Sequence, residues 1–206
     1  MYVWDGETNT DLTEPSNWHL GKAPKLWLTA EDDPALQLNA CLIIPRLEGE
    51  NPNYPEIETP IDITCKLFDI DDDAELKIDT SNPTYFPELG EEKISINVTS
   101  DWKNFGTVYI NDPNDKISLS TNFADYTDNG TWHYYSGSVY KGDFHYNVTI
   151  DGDCSIQGDT SINNELEILE GKTLSINSTL SLLILGTQIV NTPFLYSAFE
   201  ASDFTG

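Results

Sequence analysis

The stretch Leu67-Phe68-Asp69-Ile70-Asp71-Asp72-Asp73-Ala74-Glu75-Leu76-Lys77-Ile78 decides the fold class. Phe68 and Ile70, two apolar residues one apart, are followed by five residues and then by a second such pair, Leu76 and Ile78. Alternation at period 2 marks a strand with one buried face, and the short acidic interval reads as a turn. The arrangement returns in Leu166-Glu167-Ile168 before Leu174-Ser175-Ile176, and in Val148-Thr149-Ile150 before Ile156, each time across five residues that include a glycine. Asn104-Phe105-Gly106-Thr107 and Asn129-Gly130-Thr131 form a second recurring element, each leading into an aromatic-rich strand.

Outward from these segments the chain keeps to short alternations: Leu42 and Ile44, Ile61 and Ile63, Ile94 to Val98, Val108 and Ile110, Ile117 and Leu119. No window of eleven or more residues carries the i, i+3, i+4, i+7 spacing of an amphipathic helix with caps. The expected class is all-β, built of strands of about three to five residues. Degenerate strand-and-turn repeats point to a parallel β-helix or solenoid, in which no single circuit buries its own inner face. A β-sandwich or jelly roll is the alternative. Three of the five tryptophans, Trp4, Trp18 and Trp27, fall in the first forty residues among Pro15, Pro24 and Pro34. This reads as an irregular cap, because the open end of a stack needs cover. The expected organisation is a cap with a Pro-rich loop over 1–60, a stacked body over 61–185 and a capping or docking segment over 186–206. In that last segment Phe194, Tyr196 and Phe199 are too apolar for a free tail. Assembly contacts are expected at Trp4, Trp18, Trp27, Phe194, Tyr196 and Phe199.

Trp4-Asp5-Gly6 … Asn17-Trp18 … Gly21 … Pro24, then Leu42-Ile43-Ile44-Pro45 … Tyr54-Pro55-Glu56-Ile57, then the Ile63 to Ile78 segment occur in that order, with later stretches from Phe144 to Asn177. This series resembles the repeat modules of surface proteins of Bacteroidota and of virion proteins of their phages, over roughly residues 2–180. The resemblance implies a right-handed parallel β-helix or related stacked fold, and an adhesive or structural surface part. No secretion signal or sorting domain is read in the 206 residues, which turns the expectation toward a virion protein.

With 35 acidic and 10 basic side chains, the formal net charge is −25. Such a surface repels nucleic-acid phosphate and anionic lipid heads, and the apolar run near Leu180–Leu185 is too short to span a bilayer. Charged partners should be cationic: metal ions, amines or basic protein patches. Hydrophobic residues make up 38% and aromatics 11%, enough for a folded core. Cys41, Cys65 and Cys154 have no metal-ligand spacing and read as small buried apolar residues.

Asp69, Asp71, Asp73 and Glu75 alternate as in the opening of a calcium loop, but Ala74 and Thr80 break the EF-hand pattern. A solvated acidic turn is the main reading, a Ca²⁺ site at these four residues the alternative, and no other cofactor is expected. Arg46, the one arginine, has Glu48 and Glu50 as expected partners. His133 and His145 share a metal only if adjacent strands bring them together. The densest aromatic region supplies Trp132, Tyr134, Tyr135, Tyr140 and Tyr146 as a candidate patch for sugar stacking or protein docking, with every second member expected to turn inward. No nucleophile motif accompanies the histidines. The expected role is therefore a non-enzymatic structural or adhesive protein, first a phage virion component (capsid decoration, head fibre or tail fibre) on the virion surface. It would assemble as a homo-oligomer or with other structural subunits. An extracellular adhesin or filament subunit that binds glycans is the alternative, and a β-helical polysaccharide-active enzyme is third.

Overall fold

Alternating apolar residues become strands here because each such run buries one side and hydrogen-bonds along both edges. The computed structural model describes residues 1–19, 40–50, 52–121, 127–139, 142–156, 158–176 and 181–190. Among them the chain is all-β, with one short 3-10 turn at Pro15–Asn17. In chain order the strands are β1 (Tyr2–Val3), β2 (Cys41–Ile44), β3 (Glu56–Ile57), β4 (Ile61–Ile70), β5 (Glu75–Asp79), β6 (Ile94–Asn104), β7 (Thr107–Asn111) and β8 (Ile117–Thr121). They continue as β9 (Thr127–Asp128), β10 (Thr131–Val139), β11 (Gly142–Ile150), β12 (Asp153–Ile156), β13 (Thr160–Ile168), β14 (Thr173–Ile176), β15 (Leu182–Ile184) and β16 (Thr187–Val190).

One sheet has the order β1-β2-β4-β6-β8, with β9 also on β6. The other runs β3-β5-β7-β10-β11-β13-β15, with β12 and β14 extending from β10 and β16 lying on β13. The pairings within both sheets are parallel. Parallel neighbours require a crossover. Between β4 and β6 that crossover contains β5, a strand of the other sheet, and between β5 and β7 it contains β6. Register fixes the spacing: Glu75 pairs with Thr107, Thr107 with Thr131, Thr131 with Asn147, Asn147 with Glu165 and Glu165 with Thr187, steps of 32, 24, 16, 18 and 22 residues.

Register also stacks like on like. Leu76, Val108, Trp132, Val148 and Leu166 form one inward column, and Ile57, Ile78, Ile110, Tyr134, Ile150 and Ile168 the next; all are buried. Across from them stand Ile61, Ile94 and Ile117, then Ile63, Ile96 and Leu119. Each fully buried aliphatic side chain contributes about 1.5–3 kcal/mol. Inside runs an aromatic stack: Phe68 to Trp102 at 5.0 Å between centroids, Trp102 to Trp132 at 5.8 Å, and the edge of His145 on Trp132 at 5.4 Å.

The strands are longer than the alternations suggest: β4 has 10 residues and β6 has 11. The register shifts between Cys65 and Leu67, where one residue of β4 faces two of β6, Thr99 and Ser100, so the irregularity is a bulge on β6. The five-residue spacings also prove to be two different corners. Asp71–Ala74 carries the chain from the first sheet to the second, whereas Asp151–Gly152 and Leu169–Lys172 connect strands within the second. At the first corner Ala74, Gly106 and Gly130 lie one above another, Thr107 N–H donating to the Ala74 carbonyl and Thr131 N–H to that of Gly106. A methyl group on Gly106 would overlap the Ala74 carbonyl oxygen, and one on Gly130 that of Gly106. The recurring Gly-Thr is explained by this close backbone approach.

At the N-terminal end β1 pairs with β2, and Trp4 meets Trp18 edge-on at 5.3 Å. Their indole N–H groups donate to the carbonyls of Asn53 (2.7 Å) and Leu12 (2.9 Å). The buried Asn17 amide joins this segment by accepting from Thr8 and Asn9 N–H and donating to Asn9 Oδ1 and the Asp11 carbonyl. Trp4 and Trp18 are thus consumed inside the chain. The expectation that they face another subunit is corrected: an indole packed on its own core offers a partner no surface.

Candidate functional site

Strands β5, β7 and β10 send every second side chain outward, and parallel register lines those residues up. Glu56, Lys77, Tyr109, His133, Thr149 and Glu167 form one outer column. Beside it Asp79, Asn111 and Ser136 form another. Between Tyr134 and Ser136 the register skips, leaving Tyr135 as an extra residue on β10. A bulge of this kind re-aims a side chain. Tyr135 joins the outer rings, 4.6 Å from His133 and 6.2 Å from Tyr109, the two tyrosine planes 15° apart. Tyr109 and His133 are 5.4 Å apart.

Polar groups frame the rings. Lys77 donates to Glu56 at 3.0 Å. Asn111 Nδ2 lies 3.2 Å from both oxygens of Asp79, and Ser136 donates to Asn111 Oδ1 at 2.7 Å. His133 Nε2 approaches Asp151 at 3.4 Å, and Lys172 Nζ lies 3.5 Å from the same carboxylate. Burial raises both tyrosine hydroxyl pKa values, reinforced by Glu75 at Tyr109 and by Asp151 and Glu75 at Tyr135; burial also raises Asp69, while Lys103 opposes that shift. Glu75, Lys77, Asp79, Tyr109, Asn111 and Tyr135 line an open recess of about 480 Å³. Chemically it offers two aromatic rings, carboxylate acceptors and an amide.

The expected patch residues divide. Trp132 and Tyr134 point inward, 1% and 0% exposed, so they are corrected from contact surface to core. Tyr135 stands outside and Tyr146 is half-buried on β11, while Tyr140 lies outside the described residues. Tyr109, Asn111 and Asp79 escaped the sequence reading, because the registers that bring them together join residues 24 to 32 apart: Tyr109 with His133, Asn111 with Ser136 and Asp79 with Asn111. Trp27, Phe194, Tyr196 and Phe199 also lie outside the described residues.

The acidic turn draws its members to different neighbours. Asp69 sits at the outer side of β4, its Oδ1 buried and unpartnered. Asp73, in the left-handed region with φ 60°, binds Arg46 at 2.8 Å, replacing Glu48 and Glu50 as the expected partners. Asp71 lines a second shallow recess with Arg46, Asp72 and Phe105, whereas Glu75 lines the aromatic one. Among the described residues no three His, Cys, Asp or Glu side chains come together as metal ligands. His133 and His145 occupy adjacent strands but opposite sides: His145 is fully buried, its Nε2 2.9 Å from the Tyr134 hydroxyl. Cys65 and Cys154 are buried thiols, each pushed up to about 12 mainly by burial. Among the described residues no helix is long and apolar enough to cross a membrane.

No protein-family model, curated protein or solved structure matches the chain.

Proposed function

We propose that the chain is a parallel β-solenoid acting as a non-enzymatic structural module on the surface of a larger particle, the first setting being a phage virion. The observation that carries this reading is the pair of unbroken inward columns from Ile57 to Ile168. The interior is occupied by packing, and chemistry is left to the outer faces. In this reading the N-terminal segment closes one end through Trp4 and Trp18, and the stacked body is wider than the expected 61–185, since Ile57 and Thr187–Val190 pair into the same ladder. Its partners are other structural subunits, including copies of itself. Immunogold electron microscopy tests the setting: label is expected on phage particles, and label on bacterial cells alone overturns it. Light scattering of the purified chain tests assembly, with a discrete oligomer expected and a monomer at every concentration as the contrary result. The second reading, an extracellular adhesin that binds glycans, is favoured by the row Tyr109, His133 and Tyr135 with its flanking carboxylates and amide. A polysaccharide-active enzyme is the third, and sugar release from a polysaccharide panel would establish it.

A further inference from the structure

We propose that the recess on the outer face of β5, β7 and β10 docks a basic segment of a partner protein, seating a Lys or Arg side chain against Tyr109 and Tyr135 beside the carboxylates of Glu75 and Asp79. The inference deepens the reading of the chain as a contact-making surface module and rests on it. Three observations carry it. First, Tyr135 is 43% exposed on its bulge and nearly parallel to Tyr109, so aromatic surface stays open to solvent. An aromatic face attracts an ammonium or guanidinium group by about 0.5–2 kcal/mol.

Second, the recess is lined by two carboxylates and by one cation, Lys77, whose ammonium is engaged by Glu56 at 3.0 Å. The Asn111 amide anchors Asp79 from one side, and a carboxylate has room for further donors. On β10 and beyond it, His133 and Lys172 both face Asp151, so the nearby positive groups already have acidic neighbours. Burial does most to raise the two tyrosine pKa values, with Glu75 and, at Tyr135, Asp151 adding to it and Lys77 opposing. Third, the molecule carries −25, which draws basic partners in and drives acidic ones off. A neutral glycan would use the rings and the amide equally well but gain nothing from that field.

The test is fluorescence anisotropy of a labelled hexa-arginine peptide titrated with the full chain, with cellohexaose as competitor. Because a polycation is attracted to any acidic protein, Glu75→Gln is compared with Glu91→Gln, which removes the same charge from the separate recess near Thr13 and Asp62. Glu75→Gln and Tyr135→Ala are each expected to weaken binding about fivefold or more, and Glu91→Gln by less than about twofold. Tyr135→Leu, which keeps apolar area without the ring, should behave like Tyr135→Ala, and equal melting temperatures show that the variants remain folded. Equal loss with Glu75→Gln and Glu91→Gln, no effect of Tyr135→Ala, or displacement by cellohexaose overturns the proposal. Light scattering and immunogold labelling are read independently, so the assembly reading can survive that failure or fall without it.

Discussion

His145 lies against Trp132 and Tyr134 in the interior, where burial pushes its pKa down to about 3 from 6.5. The unfolded chain takes up a proton below pH 6.5 that the folded chain refuses until about pH 3, so stability falls as pH drops through that window. At pH 5 this one group costs about 2 kcal/mol relative to pH 7.5. Protonation of the many carboxylates works the other way by relieving repulsion, so the effect is isolated by difference. The wild type should lose about 5 °C more in melting temperature than His145→Gln between those pH values, and parallel pH curves would exclude it. Asp128 shows how a carboxylate is tolerated inside: its oxygens accept from Trp132 Nε1 at 2.6 Å and Gly130 N–H at 2.9 Å. Those bonds tie the Asp-Asn-Gly turn to the strand it leads into.

At the scale of elements the corner glycines are the sharpest constraint. Gly130→Ala sets a methyl group against the Gly106 carbonyl oxygen, which is held by Thr131 N–H, and 2.7 Å from Oδ1 of the buried Asn104, whose amide donates to Asp128. Chemical denaturation should show a loss of about 1–3 kcal/mol, whereas Gly49→Ala, where a methyl meets nothing within 4 Å, isolates the cost of a positive φ alone. Much at this scale was legible beforehand. Period 2 placed Phe68, Ile70, Leu76 and Ile78 inside and required alternate members of the aromatic run to turn inward, but it did not tell that Trp132 and Tyr134 would be the inward ones. Register was not legible, because parallel pairing joins residues with no local signature, such as Tyr109 and His133, and a similar distance in sequence hid the Arg46–Asp73 ion pair. Equal turn lengths disguised two unlike corners, since five residues span a change of sheet and a bend within one sheet alike. The bulge at Tyr135, which completes the aromatic recess, arises from a mismatch between neighbouring strands and is invisible in either alone.

For the molecule as a whole, −25 is a repulsive load carried on stacked strands. Raising NaCl from 0.01 M to 0.1 M shortens the screening length from about 30 Å to about 10 Å. The melting temperature should rise by about 3 °C or more, and a fall would mean that ion pairs such as Arg46–Asp73 outweigh the repulsion. That pair is largely exposed and contributes little. The ladder order has a consequence in time as well. Along the second sheet each strand bonds to one that lies 16 to 32 residues earlier. During synthesis every newly emerged segment therefore meets a finished template, and nothing in that sheet waits for the C-terminus. Ribosome-bound chains of increasing length would gain protease resistance in steps, one for each strand added.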